Sequence, residues 1–133
     1  MKSSRVALAG AACAVLAAGS VPAQAPKPCH DEATETAAAY DRARSRGAGG
    51  AIKRVEYKPD HTLVVLEAAD ALEVCGILPP RAELERRKVD LTWLTPGRFF
   101  VVNGLRHQTD EQRLWVYSIQ RALGVRGIDV RPD

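Results

Sequence analysis

Few residues in this chain have the type and spacing for chemistry. His30, His61 and His107 fall in three different settings: beside Cys29, in a Pro59-Asp60-His61 turn, and in the loop before Thr109. Histidines so scattered read as solvated surface rather than as a catalytic or metal-ligating set. There is no Gly-x-Ser-x-Gly elbow, no His-Glu-x-x-His, no Walker loop and no Gly-x-Gly-x-x-Gly. Acidic residues are plentiful, but none stands in an apolar setting that would raise its pKa. The expectation is a non-enzymatic chain with no catalytic residues, no metal and no cofactor.

The cysteines suggest a covalent tie. Cys13 lies in an N-terminal apolar run, which leaves Cys29 and Cys75. An even count in a small exported chain reads as one disulfide. Closing a loop of about 45 residues contributes roughly 4 kcal/mol in the chain-entropy model. A metal or redox pair is the rival reading, but there is no Cys-x-x-Cys and only His30 lies beside either cysteine.

Two sets of residues could bind a partner. Arg86-Arg87-Lys88 is a basic cluster that suits either a solvated helix end or contact with an anionic partner such as lipid headgroups. The second set lies in a helix expected from Thr109 to Leu123. At 100° per residue, Trp115, Val116, Ile119, Ala122 and Leu123 share a core face. Leu114 and Tyr117 point the other way with Arg113 and Arg121 beside them, the composition of a small interface patch. A further candidate is the face bearing Phe100 and Val102, either covered by the first half of the domain or left open for binding.

The elements that must position these residues follow from pattern. Asp31 to Arg46 is Ala-rich with acids first and arginines last, which predicts a helix, and Gly47 to Gly50 would end it. Ile52–Lys58 and Thr62–Glu67 read as strands around the Pro59 turn. Ala69 to Ile77 is ambiguous. Pro79-Pro80 forces a break before a short charged helix over Arg81–Lys88. Val89 to Leu94 alternates like a strand, Thr95–Arg98 is a turn, and Phe99–Val102 is a strand apolar on both faces. Thr109-x-x-Gln112 is a capping box opening the second helix. Gly124 closes that helix, and Val125–Arg131 reads as a last strand with Ile128 and Val130 inward. Residues 59–65 and 96–102 echo each other at a constant offset, so a duplicated turn-and-strand unit and two unrelated hairpins both fit.

The N-terminus reads as a leader. Lys2 and Arg5 precede an unbroken run of small and apolar residues from Val6 to Ala18, and Gly19, Ser20 and Pro22 follow. This is the three-part secretory pattern. A retained anchor would need roughly 20 apolar residues, more than the run supplies. Cleavage is expected after Ala23, with Ala25 as the alternative. The domains are then a signal peptide over 1–23 and a single domain over 24–133, located in a periplasm or secreted. Loss of Lys2 and Arg5 leaves 17 basic and 16 acidic residues, so net charge gives no case for nucleic acid. No transmembrane segment would remain after processing.

Residues 88–132 carry a spacing worth naming. Gly97, Phe99, Val101, Asn103 and Leu105 precede Asp110-Glu111-Gln112-Arg113, then Gly124-Val125-Arg126-Gly127-Ile128 and Val130. This resembles a BON domain, a small α/β module of bacterial envelope proteins. Asn103 stands where that family has a second glycine, and the family's leading helix shrinks to Arg81–Lys88. The resemblance implies a hairpin–helix–strand unit and an envelope role, with phospholipid or an envelope protein as partner.

The expected fold is α+β: a mainly antiparallel sheet with two main helices, a hairpin–helix–strand C-terminal unit and one disulfide. The expected function is an exported, non-enzymatic binding module that contacts an anionic membrane surface or an envelope protein. Its binding residues would be Arg113, Leu114, Tyr117 and Arg121, supplemented by Arg86, Arg87 and Lys88. The alternative is a small secreted inhibitor or immunity-type protein that binds one enzyme.

Overall fold

The chain is built from strands. A computed structural model describes residues 28–29, 34–68, 72–122 and 124–131. In chain order the elements are β1 (Tyr40–Tyr57), β2 (Thr62–Glu67), β3 (Glu73–Leu78), α1 (Arg81–Arg86), β4 (Phe99–His107), β5 (Arg113–Gln120) and β6 (Ile128–Asp129). Single 3-10 turns lie at Ala37–Ala39 and Leu91–Trp93. The leader, its cleavage sites and His30 lie outside the described residues.

β1 organises the rest. Its first part pairs antiparallel with β4, from Tyr40 opposite His107 to Ala51 opposite Phe99, and its last part pairs with β2, from Ala51 to Tyr57. The handover falls at Gly50. A Cβ there would lie 2.1 Å from the Glu67 carbonyl oxygen, so only glycine lets the end of β2 come this close. β2 pairs with β3, β4 with β5, and β5 with β6, all antiparallel. One parallel pairing, Cys75–Ile77 of β3 beside Arg113–Trp115 of β5, joins the two ends. Five strands thus form a ring in the order β1-β2-β3-β5-β4, with α1 in the link between β3 and β4. That is the connectivity of an OB-type barrel. The fold hosts many functions and assigns none by itself.

The α+β expectation with two main helices is therefore corrected to a mainly antiparallel β-barrel with one short helix. The Gly47–Gly50 run does not stop a helix; it lies inside β1. Helix propensity is a weak prior, and Tyr40, Asp41, Ser45 and Arg46 pair with β4 instead, with the residues between them bulged out of the ladder. The helix expected over 109–123, and with it the hairpin–helix–strand unit that the BON resemblance implies, is replaced by β5. A bulge explains the misreading. Asn103 pairs with Ser118 and Gly104 with Val116, so Tyr117 is an extra residue in β5. Its buried apolar residues Leu114, Val116 and Ile119 are spaced two and then three apart, which imitates helical spacing. Val89–Leu94 is likewise not a strand: Val89 and Leu94 are buried and the 3-10 turn lies between them.

Two apolar clusters result. Val64, Leu66, Val74, Phe100, Val102, Leu114, Val116 and Ile119 fill the barrel, and Leu84, Val89, Leu94 and Val130 join them. On the outside of β2 and β3, Leu63, Val65, Cys75 and Ile77 pack with Cys29 and Tyr40, so these two strands are buried on both faces. The cover is the chain's own N-terminal segment. The Cys29–Cys75 disulfide staples it to β3, with Cα atoms 5.7 Å apart. The Cys29 backbone N–H donates to Glu73 Oε1 at 2.8 Å, and the Arg54 guanidinium donates to the Cys29 carbonyl at 3.2 Å. The outer face of strands 2 and 3 is the usual ligand face of OB-type barrels. Here it is occupied from within. The two echoing segments become β2 and the start of β4, which flank β1 on either side.

Candidate functional site

The residues singled out by the sequence do not form one patch. Leu114 is 0% exposed and sits inside the barrel, so it cannot face a partner. Arg113 is buried and forms an ion pair with Glu35, whose Oε1 also accepts the Tyr40 hydroxyl at 2.9 Å. A buried charge held this way fixes the N-terminal segment on the barrel. Tyr117 is half-buried at the β5 bulge. The Phe100/Val102 face is interior, and the outward residue at the start of β4 is Phe99.

The basic cluster is largely tied to its own helix. Arg86 and Arg87 both reach Glu83, at 2.5 Å and 2.7 Å, and hold its carboxyl below the ordinary carboxylate range. Arg87 also donates to the Asp129 carbonyl at 3.4 Å. Lys88 is exposed and has a positive φ of 66° where the chain turns out of α1.

Arg121 is the one expected binding residue that the fold places in a recognisable site. It is the exposed residue immediately after β5, with its guanidinium carbon 4.7 Å from the centre of the Trp93 ring. At this distance the ring's negative face attracts the guanidinium and holds it over Trp93. On one side of the pair, Arg98, Phe99 and Val125 line a depression of about 410 Å³. On the other, Gln120, Arg126 and Ile128 line one of about 380 Å³. Trp93, Phe100, Arg121 and Val125 belong to both, so the two are halves of one groove.

Local chemistry fixes this groove. The Asp90 side chain accepts the Thr92 hydroxyl at 2.7 Å and its N–H at 3.0 Å, which shapes the turn carrying Trp93. Those bonds, with Arg98 and Arg121 nearby, keep the Asp90 carboxyl ionised below its ordinary range. Gln120 Nε2 donates to the Val125 carbonyl at 2.7 Å and anchors the opposite wall. Arg98, Arg121 and Arg126 are all exposed, and Phe99 is 48% exposed beside them. The site is a shallow, cationic, aromatic surface.

Sequence reasoning missed Trp93, Arg98, Phe99 and Val125. A signal existed for Phe99: in a strand whose Phe100 points inward, its neighbour must point outward. His61 was misread too, since it is 2% exposed rather than solvated, with Nδ1 2.7 Å from Asp60 Oδ1. His107 is half-buried, and its Nδ1 accepts the backbone N–H groups of Thr109 and Asp110. Among the described residues, no group of three or more His, Cys, Asp or Glu side chains could hold a metal ion. Nor is any helix among them long and apolar enough to cross a membrane. No family model matches the chain, and no curated protein matches it significantly.

Proposed function

We propose that this chain is an exported, non-enzymatic binding module that docks on anionic phospholipid through the groove around Trp93 and Arg121. The observation carrying this reading is the pairing of exposed Phe99 with the Arg121–Trp93 stack, flanked by Arg98 and Arg126. Aromatic rings suit the headgroup level of a bilayer, and each arginine near an anionic surface adds about 1 kcal/mol of attraction. The leader pattern of residues 1–23 supports a location where such surfaces are available.

The test is co-sedimentation of the oxidised protein with vesicles of anionic and of neutral phospholipid at two salt concentrations. Binding should favour the anionic vesicles, weaken with salt and fall at least tenfold in a Phe99→Asp/Arg121→Glu variant. A null result at every salt concentration would sink the lipid reading and move the search to an envelope protein. Retention of binding by the variant would move the site elsewhere.

A further inference from the structure

Many arginines of this chain are already committed to acids. Arg44, Arg54, Arg86, Arg87, Arg113 and Arg131 each pair with a carboxylate. Arg98, Arg121 and Arg126 form no ion pair among the described residues, and all three line the groove around Trp93. No carboxylate lines either half of that groove.

The fold fixes where these three cations stand. The Gly97 N–H donates to the Ile52 carbonyl and the Ile52 N–H to the Arg98 carbonyl, both at 2.8 Å, so Arg98 is fastened to β1. Arg121 lies over the Trp93 ring. A Cβ on Gly127 would lie 2.8 Å from Ser118 Oγ, so the chain just past Arg126 lies close against β5. The Asp90 carboxyl is lowered chiefly by its two bonds to Thr92 and further by the charges of Arg98 and Arg121, so both of these cations lie within electrostatic reach of one point.

Three guanidiniums are more than one phosphodiester can use. Such a group has a single negative charge and two free oxygens, and one arginine fork can take both. Here Arg98 belongs to one half of the groove, Arg126 to the other, and Arg121 to both. Three guanidiniums against the Asp90 carboxylate leave a positive charge of two, which two phosphodiesters neutralise. Exposed Phe99 and Val125 supply apolar contact that a lipid can use and a soluble diphosphate cannot.

We propose that the groove selects a lipid with two phosphates in one headgroup, of the diphosphatidylglycerol type, one phosphate between Arg98 and Arg121 and the other between Arg121 and Arg126. This inference rests on the lipid-docking reading of the same groove and adds the headgroup class. A short glycerol link ties the two phosphates, so the second contact is intramolecular once the first has formed.

The experiment is co-sedimentation of the oxidised protein with phosphatidylcholine vesicles containing either diphosphatidylglycerol or phosphatidylglycerol, matched for total anionic phosphate. Binding to diphosphatidylglycerol should be about tenfold tighter. In Arg98→Gln and in Arg126→Gln both affinities should fall and the preference should disappear. Arg106→Gln removes the same charge from an exposed position near the far end of β4 and should keep the preference. Equal affinity for the two vesicles, or a preference that survives either groove variant, would overturn this inference and leave the lipid reading standing. Loss of the preference in Arg106→Gln as well would assign it to bulk charge and would also overturn the inference. Absence of binding to both vesicles would instead remove the lipid reading itself.

Discussion

The Lys53 ammonium lies 2.7 Å from Glu73 Oε2, on the residue whose Oε1 accepts the Cys29 backbone N–H. Both contacts favour the carboxylate and hold Glu73 below its ordinary value of 4.5, with the Lys53 bond the larger cause. A depressed folded-state pKa adds stability above the unfolded value, and that stability is lost as pH falls through the folded value. The unfolding midpoint in urea should therefore drop as pH falls below 4.5. Glu73→Gln should cost about 1 kcal/mol at neutral pH, and the difference from the unsubstituted protein should shrink in acid. An undiminished difference at low pH would remove the electrostatic account.

The disulfide should matter more than any single ion pair. It spans 46 residues and closes the N-terminal segment over β3. Reduction, or Cys75→Ser, should lower stability by about 4 kcal/mol on the chain-entropy model. Comparison of denaturation with and without reductant measures it. A loss under 1 kcal/mol would mean that the outer apolar cluster holds the segment unaided.

Glycines three residues apart in β1 should respond differently. At Gly50 an added Cβ meets the Glu67 carbonyl oxygen at 2.1 Å and its carbon at 2.7 Å, both of them backbone. At Gly47 the nearest atom is the Asn103 side-chain oxygen at 2.8 Å, which can turn away. Gly50→Ala should cost about 2–3 kcal/mol or prevent folding, while Gly47→Ala should stay within about 1 kcal/mol. Paired urea titrations decide it, and similar costs at the two sites would mean that the barrel corner yields easily.

What could be read from the sequence follows from which elements keep a regular period. β2 has the bounds that its apolar run suggests, and α1 starts where the two prolines allow. β1 and β5 do not keep period, because both are bulged. In β1 the ladder skips from Asp41 to Ser45, and the Asp41 side chain caps the extruded residues through the Ala43 N–H and Arg44. Alternation is lost there, and the local Ala and Arg content reads as helix. The site suffered in consequence. Arg121 was found, but on a helical face that does not exist. Trp93 was hidden in what looked like an alternating strand, and Leu114 turned inward because the segment pairs as a strand, in which it shares a face with Val116. Where bulges set the register, the partner strand holds the missing information.

The ring of strands also bears on how the protein opens. β5 touches β3, β4 and β6, and β1 touches β2 and β4, so no strand of the ring can leave without unpairing its neighbours on both sides. Amide protons in β2, β4 and β5 should exchange with solvent together, only when the whole molecule unfolds, while those of the two-residue β6 exchange by local fraying. A barrel closed by a three-residue seam thus behaves as one cooperative unit, and the seam is where that cooperativity is made.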